Sequence, residues 1–156
     1  MTANDLFAAA PDLMKKWSTA GFAINSALDP TLTHLVKIRA SQINGCANCI
    51  NMHAAEARNQ GETEQRIYLL SAWREAPCYS ERERAALAWT EALTRLSAGH
   101  LDPRERESLV AHFNPEEQVK LTLLINVING WNRIAVGFGM FMDPAEAKGA
   151  ARAAAA

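Results

Sequence analysis

Two cysteines and a histidine, Cys46, Cys49 and His53, stand at a spacing that could support redox chemistry. On a helix, positions i, i+3 and i+7 fall on one face, so the two thiols and the imidazole would share a stripe. Cysteines three residues apart can close a disulfide within one turn, and the imidazole one turn further can accept or return a proton. The segment therefore predicts a redox-active dithiol.

The elements around this segment favour a reactive thiolate. Asn44-Gly45 is a turn signal that separates the preceding helix from one running from about Cys46 to Gly61. Backbone N–H groups and the helix dipole stabilise negative charge at a helix N-terminus, and the thiolate is the nucleophilic form of cysteine. A partner thiol can then resolve a sulfenic acid before further oxidation.

The rest of the chain reads as helices joined by short turns, and no strand signal persists. Helical periodicity and capping signals predict an all-α fold, a compact bundle in a single domain over residues 1–156 with its core at about 13–142. The predicted helices are about 12–28, 31–43, 46–61, 63–73, 81–97, 103–112 and 115–142.

Composition excludes several classes of function. The formal net charge of −1 and the lack of a basic patch argue against nucleic-acid binding. The longest apolar region, Val119 to Met142, is interrupted by polar residues, which favours a buried helix over a membrane span. With three cysteines and no visible secretory signal, we expect a reducing cytoplasm, where a CxxC is catalytic or metal-binding more often than structural.

Two other interpretations of the cysteine pair remain open. A structural zinc site would need two ligands besides the two thiols, for which His53 and His34 are the candidates. Because no second CxxC occurs, we expect no metal. The pair could also be inert buried cysteines. No motif for flavin or haem occurs, so no cofactor is expected. Cys78 lies in a separate Pro-Cys-Tyr turn and is expected to be a spectator.

The segment from Leu35 to His53, LVKIRASQINGCANCINMH, resembles the AhpD-like alkylhydroperoxidases of the carboxymuconolactone decarboxylase superfamily. Trp73-Arg74-Glu75, the stretch SERERAAL at 80–87 and INGWNR at 128–133 also resemble this family, so the similarity covers about 13–142.

The resemblance implies an all-α homo-oligomer, a trimer or hexamer, that reduces hydroperoxides with an external dithiol reductant of lipoyl or thioredoxin type. It implies that Cys49 reacts with the peroxide, that Cys46 is the resolving cysteine and that His53 joins a proton relay. The chemistry of thioredoxin would reverse the two cysteine roles. The position of His53, four residues after Cys49, favours Cys49 as the peroxide-reactive cysteine.

The chain departs from the resembling enzymes at one position. They carry a glutamate twelve residues before the first cysteine, and here that residue is His34. An imidazole cannot be the anionic end of a relay, although it can pass a proton near neutral pH. His34 is therefore either the next member of the relay or a surface histidine. Glu56, one turn beyond His53, is either a substitute carboxylate or a solvated charge.

A polar stripe on the last helix, Asn126, Asn129 and Arg133, could line the active-site pocket, but a hydrogen-bond network at a core or subunit boundary is favoured. Ser41, just before the CxxC, could help to orient it. The apolar character of this last helix predicts a homo-oligomer.

Two alternatives to a peroxidase remain. One is a decarboxylase of the same superfamily, which acts on a lactone without the dithiol. The other is a non-catalytic module that senses redox state or binds a partner.

Overall fold

The computed structural model describes residues 2–141, and over that range it consists of helices and connecting turns without strands. The all-α prediction is confirmed. The helices are α1 (Ala3–Ala9), α2 (Pro11–Asn25), α3 (Pro30–Ile43), α4 (Ala47–Asn59), α5 (Glu64–Leu69), α6 (Glu81–Thr94), α7 (Pro103–His112) and α8 (Pro115–Gly137), with 3₁₀ turns at Leu70–Ala72 and Leu96–Ala98.

Side-chain caps fix most of the helix starts. An oxygen of the residue before the helix accepts a backbone N–H of the first turn in α3, α5, α6, α7 and α8, with Asp29, Thr63, Ser80, Asp102 and Asn114 as the caps. Because these caps are local, the starts of these helices agree with the sequence prediction to within about a residue.

Helix α3 is the centre of the bundle. Every residue from Leu32 to Ser41 is buried. The helix packs against α4, α6 and α8, so it brings its side chains next to the N-terminal half of α4. A helix covered on all sides has little amphipathic character, which is why its periodicity is weaker in the sequence than its burial would suggest.

The predicted helices differ from the structure in one missing helix and in the ends of α2, α5, α6 and α8, which lie three to five residues earlier than predicted. The first helix, α1, was not predicted, although Thr2 and Asp5 form a capping box at its start. The last helix ends at Gly137 rather than near Met142, because Gly139 takes a positive φ of 61° that terminates it. Met142 itself and the alanine-rich tail lie outside the described residues.

Several large apolar side chains are exposed on α2 and α8, among them Leu13, Phe22, Val119, Leu123 and Val136. The homo-oligomer is expected because the last helix is apolar, and the exposed apolar side chains of α8 agree with that reason. The homo-oligomer itself stays a prediction. None of the helices within residues 2–141 is long and apolar enough to cross a membrane.

Candidate active site

The cysteine pair sits where the chain passes from α3 into α4. Asn44 ends α3, Gly45 takes a positive φ of 64° that makes the tight turn, and Cys46 is the N-cap residue of α4. The Cys46 Sγ accepts the backbone N–H of Cys49 at 3.3 Å. Cys46 and Cys49 form a disulfide with their Cα atoms 5.4 Å apart, so both sulfurs meet at the positive end of the helix.

The two cysteines differ in their position relative to the adjoining cavity. Both residues are almost completely buried, at 1% exposure for Cys46 and 2% for Cys49. Cys49 lines a cavity of about 320 Å³, whereas Cys46 is not among the residues that line it. A small molecule in the cavity would therefore meet Cys49 first.

The turn that carries Cys46 is held from behind by α3 and α8. The Cys46 N–H donates to the Ser41 carbonyl oxygen at 3.0 Å. Asn132 donates to the Ser41 hydroxyl at 3.0 Å, and its side-chain oxygen accepts the Asn44 amide at 2.8 Å. Ser41 does lie next to the pair, as its position in the sequence suggested, and its contribution is to anchor the turn.

Two residues of the polar stripe on α8, Asn129 and Arg133, take part in this support, and none of the three lines the cavity beside Cys49. Asn129 accepts the Asn44 amide at 2.9 Å and donates to Thr94 at 3.0 Å, while Arg133 donates to the Asn129 carbonyl at 2.9 Å. Asn126, Asn129 and Arg133 line a separate, open groove instead. The interpretation that this stripe lines the active-site pocket is wrong. Asn129 is buried and joins the hydrogen-bond network behind the cysteine turn, whereas Asn126 and Arg133 are exposed.

His53 and Glu56 form a close pair one turn beyond Cys49. The His53 Nδ1 lies 2.7 Å from the Glu56 Oε2. His53 is buried and Glu56 is partly open, with 42% of its side chain exposed, and both line the same cavity as Cys49. Glu56 therefore makes a specific contact at the site and is not simply a solvated surface charge.

Two residues of α3 face this pair. The Lys37 Nζ is 3.7 Å and the His34 Nδ1 is 3.9 Å from the Glu56 Oε2. His34 is only 6% exposed, so the surface-histidine interpretation is wrong. Its distance from Glu56 is too long for a direct hydrogen bond. Lys37 also lines the cavity, and the sequence analysis did not single it out.

Burial sets the protonation states of this cluster. Desolvation lowers the pKa of His53, against the opposing effect of its Glu56 partner, and it likewise lowers the pKa of His34 and of Lys37. Burial would raise the pKa of the Glu56 carboxyl, but the hydrogen bond to His53 and the nearby cationic groups outweigh it and lower that pKa. At neutral pH the cluster thus contains neutral imidazoles and an ionised carboxylate.

The cavity beside Cys49 is mainly apolar. Its walls come from five helices, α1, α2, α3, α4 and α8, and from the segment after α8. Its apolar side chains include Phe7, Met52, Val127, Ile128, Trp131 and Met140. The polar groups Lys37, His53 and Glu56 occupy one side of it. Sequence reasoning found the cysteines and the histidines but missed this wall, because it is assembled from helices far apart in the chain.

Comparison with known proteins identifies relatives. The carboxymuconolactone decarboxylase family model matches residues 11–92. The uncharacterized protein YdfG of Bacillus subtilis is 43% identical over 131 residues, which are 83% of this chain and 89% of YdfG.

Solved structures share the fold. ATU0492 from Agrobacterium tumefaciens, a protein of unknown function considered a candidate AhpD antioxidant defence protein, superposes with a TM-score of 0.82 at 46% identity and covers 85% of this chain and 92% of its own. The debrominase Bmp8 superposes with a TM-score of 0.80 over 89% of this chain and 75% of its own, and at 20% identity the likeness concerns the fold alone.

The family match spans α2 to α6 and therefore includes the cysteine pair and its histidine. With YdfG and ATU0492 similar over most of the chain, this protein belongs to the carboxymuconolactone decarboxylase superfamily, as an AhpD-like member.

Proposed function

We propose that this protein is a thiol-dependent peroxidase that reduces hydroperoxides through a dithiol–disulfide cycle at Cys46 and Cys49. The observation that carries the proposal is the position of Cys49. It lines an apolar cavity, is within disulfide reach of the buried Cys46, and shares the cavity with the paired His53 and Glu56.

Cys49 is the peroxide-reactive residue in this mechanism, because it borders the cavity and Cys46 does not. The Cys49 thiolate attacks the terminal oxygen of the hydroperoxide. An S–O bond forms, the O–O bond breaks, and the alkoxide leaves as an alcohol after taking a proton. Cys49 becomes a sulfenic acid.

Cys46 resolves this intermediate. Its sulfur is at the N-cap of α4 and accepts a backbone N–H, an environment that stabilises a thiolate. The Cys46 thiolate attacks the Cys49 sulfur, the S–S bond forms, and the hydroxide leaves as water after protonation. The sum is two thiols and one hydroperoxide converted to a disulfide, an alcohol and water. An external dithiol of lipoyl or thioredoxin type then restores the thiols.

His53 carries the proton. It follows Cys49 by four residues on α4, so both side chains lie on one helix face. Its Nδ1 is held by Glu56, which leaves Nε2 to take the Cys49 proton and to return it to the leaving oxygen. Glu56 stabilises the transient imidazolium. His34, whose Nδ1 is 3.9 Å from the same Glu56 oxygen, is too far for a direct hydrogen bond and acts on the relay through its position beside that carboxylate.

The first test is a single-turnover thiol count. The reduced protein has three thiols, and one equivalent of an organic hydroperoxide should rapidly remove two of them, leaving Cys78. Cys49→Ser should abolish the fast loss, and Cys78→Ser is the matched control that should keep it. Fast loss abolished only in Cys46→Ser would reverse the roles. A rate no greater than that of a free small thiol would refute the peroxidase.

The same variants separate the alternatives. A redox-sensing module would form the disulfide reversibly with negligible turnover under an excess of peroxide and dithiol. A decarboxylase acting on a lactone would retain activity in Cys49→Ser and need no reductant. A debromination such as that of Bmp8 would consume the dithiol with a brominated substrate in place of a peroxide.

We also propose that the protein works in the cytoplasm as a homo-oligomer, a trimer or hexamer, formed through the exposed apolar side chains of α2 and α8. Light scattering of the purified protein measures its molar mass and tests the oligomeric state directly. A monomer at micromolar concentration would contradict the assembly and leave the thiol chemistry to be judged by its own experiment.

A further inference from the structure

Three potential metal ligands converge beside the cysteine pair. One ligand atom from each of His34 on α3 and His53 and Glu56 on α4 lies within 4.8 Å of the other two. The carboxylate oxygen is 2.7 Å from His53 and 3.9 Å from His34. The cluster is anchored on two packed helices, so its geometry does not depend on a loop.

His34 supplies an independent sign that a ligand belongs here. Its Nδ1 is buried and has no hydrogen-bond partner, and the residue is 6% exposed. A buried polar atom without a partner is costly, and native structures leave few of them. This nitrogen lies on the side of the ring that approaches Glu56, where a bound cation would satisfy it.

The donor chemistry suits a divalent transition metal. Two imidazoles and one carboxylate are a ligand set that zinc accepts with a water in the fourth position. Metal–donor bonds of about 2.1 Å in a tetrahedron place the donors roughly 3.4 Å apart. The two distances to Glu56, 2.7 and 3.9 Å, bracket that value, and the distance between the two imidazole donors is within 4.8 Å. Changes of at most about 1.4 Å in the donor–donor distances would therefore form the site. Burial lowers the pKa of both imidazoles, which keeps their lone pairs available at neutral pH.

Lys37 is the group that opposes a cation. Its ammonium is 3.7 Å from the same Glu56 oxygen and partly neutralises it. A metal ion entering the cluster would displace this ion pair, and the Lys37 side chain already borders the cavity into which it could move. Removing the lysine charge should therefore tighten metal binding.

We propose that His34, His53 and Glu56 form a binding site for a divalent transition metal ion of the zinc type, separate from the two cysteine sulfurs. Metal in this site would occupy the imidazole that takes the Cys49 proton. That consequence rests on the proposed peroxidase function, whereas the binding itself does not.

The test uses oxidised protein, in which Cys46 and Cys49 are tied in the disulfide, and a Cys78→Ser background, so that no thiol competes. Zinc binding is measured by calorimetry and cobalt(II) binding by visible absorption, without peroxide. We expect one ion per chain. His34→Leu should lower the affinity more than ~100-fold, since loss of a ligand exceeds the cost of losing a supporting partner. Glu56→Gln should lower it at least ~10-fold.

His100→Gln is the matched control, because His100 is exposed and lies outside the cluster. It should bind as the wild type does, and Lys37→Met should bind more tightly. Circular dichroism checks the fold of each variant, and if His34→Leu is unfolded the partly exposed Glu56 decides the outcome. Absence of binding, or equal affinity in His34→Leu, Glu56→Gln and wild type, would overturn the site. A peroxidase that fails its thiol count leaves this result unaffected.

Discussion

Replacing Glu56 by glutamine tests whether this carboxylate has taken a place in the proton relay. The substitution keeps the shape of the side chain and removes the charge that the His53 Nδ1 meets at 2.7 Å. In the mechanism proposed here, His53 becomes an imidazolium as it accepts the Cys49 proton. The wild-type carboxylate stabilises that cation, and the neutral amide would not.

The size of the effect follows from the exposure of the pair. A hydrogen bond to a charged group contributes about 1.5–3 kcal/mol when it is protected from solvent. Because 42% of the Glu56 side chain is exposed, solvent screening reduces this to about 1–1.5 kcal/mol. The rate constant for Cys49 oxidation should fall about tenfold, since each 1.36 kcal/mol is a factor of ten. The Lys37 charge left without its partner acts in the same direction.

The assay is the pre-steady-state loss of thiols with an organic hydroperoxide, in the presence of a chelator so that metal binding has no part in it. Glu64→Gln is the matched control, because Glu64 is also a half-exposed carboxylate in an ion pair, with Arg58 at 3.0 Å. It should react at the wild-type rate. Equal rates for Glu56→Gln and wild type, or equal slowing of both variants, would refute the assignment of Glu56 to the relay.

Three further predictions concern the scaffold. Glu91→Gln leaves the buried Arg39 without its anion and should lower the free energy of unfolding by about 3 kcal/mol in urea titrations. Hydrogen bonds from Trp73 and Arg39 outweigh the effect of burial and lower the pKa of Glu91. The stability that Glu91 contributes is therefore complete above about pH 4.5 and is lost as the pH falls through its folded-state pKa. The free energy of unfolding of the variant should lack this dependence on acid pH. Gly130→Ala would place a Cβ 2.6 Å from the Trp17 ring and should cost about 1–3 kcal/mol in the same titration. Asn132→Leu removes buried hydrogen bonds behind the cysteine turn and should cost about 1–3 kcal/mol, with slower disulfide formation in the thiol count.

Local signals were sufficient to predict the segment that carries the dithiol. Asp29-Pro30 starts α3, Asn44-Gly45 ends it, and Gly61, with a φ of 94°, follows the end of α4. Each of these signals acts within a few residues, so the sequence contains all that is needed to read it. The same is true of the i, i+3, i+7 spacing that brings Cys46, Cys49 and His53 together.

The cavity could not be predicted in this way. Phe7 reaches it from α1, a seven-residue helix whose main sequence signal is its capping box. Trp131 reaches it from α8, and periodicity alone could not say which side of that mostly apolar helix faces the cysteines. Those contacts depend on how helices distant in the chain pack together.

Glu56 shows where local spacing stops being informative. Its position three residues after His53 permits the contact, but a side chain there can also point to solvent. The neighbours that decide between these are Lys37 and His34, which belong to another helix and come within 4 Å of the carboxylate only after α3 and α4 pack. The sequence therefore allowed Glu56 to be either a site carboxylate or a solvated charge. The contacts made once α3 and α4 pack together identify it as a site carboxylate.

The arrangement also separates what α3 and α4 contribute. Cys49, His53 and Glu56 follow one another along α4, so one helix supplies the peroxide-reactive thiol and the proton carrier of the proposed mechanism, and also the carboxylate paired with that carrier. Helix α3 adds Lys37, whose ammonium lies 3.7 Å from that carboxylate, and the neutral His34, whose Nδ1 at 3.9 Å makes no direct hydrogen bond to it. A histidine in place of the glutamate found in the resembling enzymes is compatible with the relay for this reason: the anionic group is still present, one helix away, and it is already paired with the imidazole that needs it.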